Sequence, residues 1–68
     1  MSTRARIVEL ADRRSNDLDV VLLWGRRSGR VWVEVTDRSS GWSARVAARP
    51  DNALDVFRHP FAYARHAA

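Results

Sequence analysis

His59 and His66 stand seven residues apart, with Asp55 four residues before the first, and this is the nearest the 68-residue chain comes to a catalytic or metal-binding pattern. A histidine pair can hold a metal or move protons, but two ligands without a third make a poor site, and Pro60 interrupts the helical spacing that would align them. Both histidines therefore read as structural. Ser15, Ser28, Ser39 and Ser40 fall in turn-forming stretches, where serine is expected, and none has the setting of an activated nucleophile. The segment GRRSG at 25–29 lacks the spacing and the following helix of a phosphate loop. No enzyme activity, metal or cofactor is expected.

Arginine and tryptophan offer a different chemistry. Trp32, Arg45 and Arg49 alternate with apolar residues in strand-like segments, while Arg26, Arg27, Arg30 and Arg38 lie in the polar stretches between them. Guanidinium groups for phosphates and an aromatic for stacking are what a sheet-type nucleic-acid binder uses. Against this, all twelve basic residues are arginine and glutamine is absent, as a GC-rich coding sequence would produce. The charge excess sits in the middle of the chain: +1 over residues 1–17, +3 over 18–49 and zero over 50–68.

Those residues need strands to position them. VWVEVTD (31–37) sets Val31, Val33 and Val35 against Trp32, Glu34 and Thr36, the period of two that a pleat imposes. WSARVAAR (42–49) sets Trp42, Ala44, Val46 and Ala48 against Ser43, Arg45, Ala47 and Arg49. DVVLLW (19–24) is apolar on both faces, with Val20, Leu22 and Trp24 on one and Val21 and Leu23 on the other. Arg-Ser pairs recur at 14–15, 27–28 and 38–39 in the loops RRSND, GRRSGR and DRSSG, a spacing that predicts an antiparallel meander. Gly41 suits the left-handed position of a bulged hairpin loop. RIVELAD (6–12) has helical spacing at Ile7, Leu10, Ala11 and Arg14, but the hairpin-like loop after it favours a strand in which Val8 and Leu10 share a face.

After Arg49-Pro50, Asp51 or Asn52 can cap a helix, and Leu54, Phe57, Phe61 and Ala64 form a stripe expected to lie on the sheet. Pro60 predicts a break at His59, with a further turn carrying Phe61 and Tyr63. The expected fold is α+β: a small antiparallel β-meander of three or four strands with a C-terminal helix packed on one face. One domain spans 1–68, with 1–5 disordered, 6–49 the meander and 51–66 a kinked helical tail.

A single core of this size supplies no more than about 3–5 kcal/mol of net stability, and without cysteine neither a disulfide nor a thiolate metal site can add to it. Burial of Val21, Leu23 and Trp32 by a second copy would help, so a homodimeric interaction or regulatory module is the first functional expectation. Its contact surface is Val21, Leu23, Trp32 and Arg45, paired face to face or edge to edge. Nucleic-acid binding through the Arg/Trp-bearing face and Arg26, Arg27, Arg30, Arg38 and Arg49 is the second. The N-terminus lacks the apolar run of a signal peptide, and no stretch approaches a membrane span, so a cytoplasmic protein without a membrane partner is expected.

Three pieces of the chain, LLW at 22–24, V-x-V-x-D at 33–37 followed by Gly41, and ALDVFRHPFAYA at 53–64, resemble a pattern in short proteins of high-GC bacteria. No activity is established for that group, so the resemblance implies a shared small sheet-plus-helix fold and no site. Trp32, Glu34 and Asp37 also give the chain a looser likeness to plant-type DNA-binding domains that run three antiparallel strands into a helix. Their upstream Tyr-Arg-Gly element is missing here, and Val21 and Leu23 stand on the face that would meet DNA.

Overall fold

The computed structural model describes the backbone of residues 6–67 and the side chains as far as Tyr63. Residues 1–5, expected to be disordered, and the side chains of Ala64 and His66 lie outside the described residues. Four strands, β1 (Ile7–Ser15), β2 (Leu18–Gly25), β3 (Val31–Asp37) and β4 (Ser43–Ala48), form one antiparallel sheet in the order β1-β2-β3-β4. Two helices follow, α1 (Ala53–Arg58) and α2 (Pro60–Ala67), so the chain is an α+β meander with its helical tail on one face. Among the described residues no helix is long and apolar enough to cross a membrane.

Register decides which side chains share a face. Val20 pairs with Val35, Leu22 with Val33 and Val33 with Val46, and these residues are buried together with Val31 and, from α1, Val56. At about 1.5–3 kcal/mol for each fully buried Val or Leu, this small β-branched core is the main force holding the sheet to α1. Of the segment 6–12, residues from Ile7 on belong to the first strand, but the ladder shifts between Glu9 and Ala11, leaving Leu10 as an extra residue that is 51 % exposed. Val8 lies opposite Trp24 and Leu10 lines a concavity with Leu22, Trp24 and Ala53, so both stand on the helix side, and the bulge adds Ala11 opposite Leu22 to the same face. Asn16 at φ 50 and Gly41 at φ 80 take the left-handed conformations that their hairpins need.

The tail packs differently from the expected stripe. Val56 is fully buried, Ala53 and Phe57 pack against the core and Pro60 is buried, whereas Leu54 is 60 % and Phe61 47 % exposed. Because the helix breaks at His59, the stripe does not continue in phase beyond Phe57, and the face that meets the sheet is Ala53, Val56 and Phe57. Phe61 instead stacks on exposed Trp42, ring centroids 6.2 Å apart, and Trp42 precedes β4 rather than joining the core face of that strand. Asn52 is the cap residue, but its carboxamide oxygen accepts from the Arg49 N–H at 2.7 Å, leaving no side-chain cap on α1. Arg13 of β1 reaches across at the other end: its guanidinium donates to the Phe57 and Arg58 carbonyls at 2.9 and 3.1 Å and lies 5.3 Å from the Phe57 ring. A cation there satisfies helix-end carbonyls and opposes the negative end of the helix dipole.

Candidate nucleic-acid interface on the open sheet face

The sheet's second face carries neither helix. Pairing lays it out in rows: Glu9, Leu23, Trp32 and Ala47 across one, and Asp12, Val21, Glu34 and Arg45 across the next. The four residues expected to form an interaction surface, Val21, Leu23, Trp32 and Arg45, are thus neighbours. The face is less bare than the sequence suggests, since Val21, Leu23 and Trp32 are all half-buried within one chain. Glu34 ties its centre together by accepting from Trp32 Nε1 at 3.3 Å and pairing with Arg45 Nε at 3.0 Å. That pairing leads the Arg45 guanidinium over the indole, 5.7 Å from a ring centroid.

Toward the β2–β3 turn the face becomes basic. Gly25 donates to the Arg30 carbonyl and accepts from Gly29 N–H, both at 2.8 Å, and Ser28 Oγ accepts from Arg30 N–H at 3.1 Å. Gly29, at φ 75, completes this tight turn. Arg26 N–H donates to the Arg6 carbonyl at 2.6 Å, which fixes the start of β1 beside the turn. A Cβ on Gly25 would meet Ser28 Oγ at 2.8 Å and the Trp32 ring at 3.5 Å, so glycine lets both turn and indole close over this position. The result is an open concavity of about 780 Å³ with Trp32, Ile7 and Ala47 in its lining. Arg6, Arg27, Arg30 and Arg45 line it as well, and no carboxylate does.

The remaining expected arginines do not converge there. Arg38 lies at the opposite end, bound to Asp19 Oδ1 at 2.6 Å and to the Asn16 carbonyl. Arg49 lies beyond the end of β4 rather than on its mixed face, and pairs with Asp51 at 3.0 Å. Among the described residues Arg6, Arg26, Arg27 and Arg30 make no ion pair. Arg13 and Arg58 make none either, but Arg13 is bound to helix-end carbonyls and neither lines the concavity. Arg6 escaped the sequence reading because its position depends on β1 pairing with β2. The one local signal, Arg6 immediately before an apolar pair, is equally a helix start.

Asp55 gives its carboxylate to the Tyr63 hydroxyl, so it does not join His59 as a second ligand. That hydrogen bond, with smaller contributions from desolvation and the Asp55 charge, raises the tyrosine pKa above its ordinary value. Ser39 does the reverse for Asp37: its hydroxyl and N–H bond the carboxylate and hold its pKa below the ordinary value. Comparison of the chain with known protein families, curated proteins and solved structures finds no match.

Proposed function

We propose that the protein is a small nucleic-acid-binding module that takes a single strand at the basic end of its open face. The observation that carries this reading is the gathering of Arg6, Arg27 and Arg30, without carboxylate partners among the described residues, around a concavity that Trp32 also lines. Like charges held together raise the local potential and favour a polyanion. A flat aromatic within that field gives an unpaired base a surface to stack on, worth about 1–3 kcal/mol per base. Arg45 then acts as a cover for the indole, swinging toward a phosphate when a base takes its place. Arg38 and Arg49, engaged elsewhere, fall outside this site.

The test is fluorescence anisotropy of a labelled oligo-dT of about ten nucleotides, within the usual span of single-strand sites, over a salt series. Three to four neutralised phosphates give a slope of log K against log salt of about −2 to −3. The Arg27→Ala/Arg30→Ala variant should lose about half of that slope, each phosphate contact being worth roughly 0.7. A slope near zero, or an unchanged slope in the variant, would remove the reading. The homodimer expected from the sequence draws on Val21, Leu23, Trp32 and Arg45 and would compete for the Trp32 and Arg45 of this site.

A further inference from the structure

We infer that Glu34 makes the site selective for guanine by reading the edge of a base stacked on Trp32. The inference rests on the nucleic-acid reading and adds a base preference to it. The indole lies between two unlike surroundings. Its Cζ3 edge faces Gly25 in the basic turn, 3.5 Å from the place a Cβ would take there, and its Nε1 edge donates to Glu34 Oε2 at 3.3 Å. A base that stacks on this ring has arginines at one end and a carboxylate at the other. Because Glu34 repels phosphate, the sugar-phosphate side of the strand runs past Arg6, Arg27 and Arg30, and the base's hydrogen-bonding edge points to Glu34.

Glu34 has acceptor capacity to spare. Trp32 Nε1 and, at 3.0 Å, Arg45 Nε both meet Oε2, and among the described residues no group donates to Oε1. These two contacts fix the carboxylate beside the indole and leave its second oxygen to a ligand. The Glu34 side chain is 38 % exposed, so a ligand can reach it. Arg45 lines both the basic concavity and a second one of about 310 Å³ that Glu34 also lines, and so stands between the two. When its guanidinium leaves the ring for a phosphate, the indole and the carboxylate open to one ligand together.

One base suits an acceptor of this kind. An ionised carboxylate accepts hydrogen bonds and never donates. Guanine presents two donors side by side on its Watson–Crick edge, N1–H and N2–H. The amino groups of adenine and cytosine each have a ring-nitrogen acceptor beside them, and the N3–H of thymine or uracil lies between two carbonyls. Those acceptors would face the carboxylate and be repelled. Hydrogen bonds to an ionised acceptor are also the stronger kind, so a single residue is enough to set a preference. In a duplex the same edge is already paired, so Glu34 selects single strands as well.

The test compares dissociation constants, by fluorescence anisotropy, for labelled decamers of oligo-dT, of dT with dG at every second position, and of the latter with deoxyinosine in place of dG. Deoxyinosine keeps the purine ring system and N1–H but lacks the N2 amino group. The native chain should bind the dG decamer about ten-fold more tightly than the deoxyinosine decamer, the low end for a hydrogen bond to a charged group. In Glu34→Gln the amide oxygen stays with Trp32 Nε1 and an N–H replaces Oε1, a donor facing donors, so the ratio should fall to about one. The ratio is taken within one protein, so a variant that is only weakened or partly unfolded keeps it. A native ratio near one, with oligo-dT bound at the expected salt slope, would overturn the guanine preference and leave the nucleic-acid reading standing. A ratio that survives Glu34→Gln would overturn the role of Glu34. If none of the decamers binds, both readings fall.

Discussion

One sheet presents two faces built from the same residues in alternation, and they differ in what they are made to do. On the helix side Val20, Leu22, Val33, Val35 and Val46 are each no more than 3 % exposed and offer no polar atom. Across the pleat, Val21, Leu23, Trp32, Glu34 and Arg45 are half-buried or exposed and joined by an ion pair, a hydrogen bond and a cation–aromatic contact. A step of one residue along β3 moves from Val33, closed inside the domain, to Trp32 or Glu34, open to a partner. Stability and recognition are therefore separable by substitution, and each face can be damaged with little effect on the other.

The largest effect belongs to the covered face. Val33→Asp places a carboxylate without a partner in a fully buried site, and its cost exceeds the roughly 3–5 kcal/mol available to a domain of this size. Circular dichroism should show an unfolded chain; a folded one would mean that α1 is not the cover it is described as. The helical tail divides in the same way. Phe57→Ala, at a half-buried site against the core, should cost about 2–3 kcal/mol, less than a fully buried phenylalanine. Phe61→Ala loses chiefly the stack on Trp42, about 0.5–1.5 kcal/mol. Equal losses in urea unfolding would contradict the change of face at His59.

The open face should respond in the opposite sense. Trp32→Ala is expected to weaken oligonucleotide binding by about 1–3 kcal/mol, the value of one stacked base. Gel shift or anisotropy on a variant whose sheet signal is intact would check this, and unchanged affinity would remove stacking from the account. The smallest effect is pH-dependent and lies away from both faces. The Tyr63 pKa is raised by Asp55, so the stability from that hydrogen bond is present below the ordinary tyrosine value of 10.0 and is lost as pH rises through the folded pKa. Melting temperatures of the native chain and Tyr63→Phe should converge above pH 10.0; a difference that persists there would show that packing, not the hydroxyl, matters.

Much of this architecture is legible in the sequence because alternation in 31–37 and 42–49 leaves one register that buries Val31, Val33, Val35 and Val46, with 19–24 as the apolar strand beside them. The break before Pro60 is legible too, since proline chemistry is local. What escapes depends on contacts between distant segments. The bulge at Leu10 cannot be seen from RIVELAD, and without it Ala11 and Asp12 are assigned to the wrong faces. Leu54 and Phe61 fit a helical stripe in sequence, but α1 turns Ala53, Val56 and Phe57 to the sheet and leaves Leu54 out, and the corner at His59 carries Phe61 off that face. The candidate site was half legible: Trp32 and Arg45 follow from strand period, and the turn supplies Arg27 and Arg30. Arg6 joins through its carbonyl's bond to Arg26, whereas Arg38 sits in the β3–β4 loop at the opposite end of the meander and Arg49 lies beyond β4, paired with Asp51.

The central claim is that Arg6, Arg27 and Arg30, which line one concavity with Trp32, form one site for a polyanion. Its most direct test is the salt dependence of oligo-dT binding in the native chain beside Arg27→Ala/Arg30→Ala, with melting temperatures recorded for both. The account predicts a slope of about −2 to −3 that falls by about half in the variant, at unchanged melting temperature. A native slope near zero, or two slopes that coincide, would contradict it.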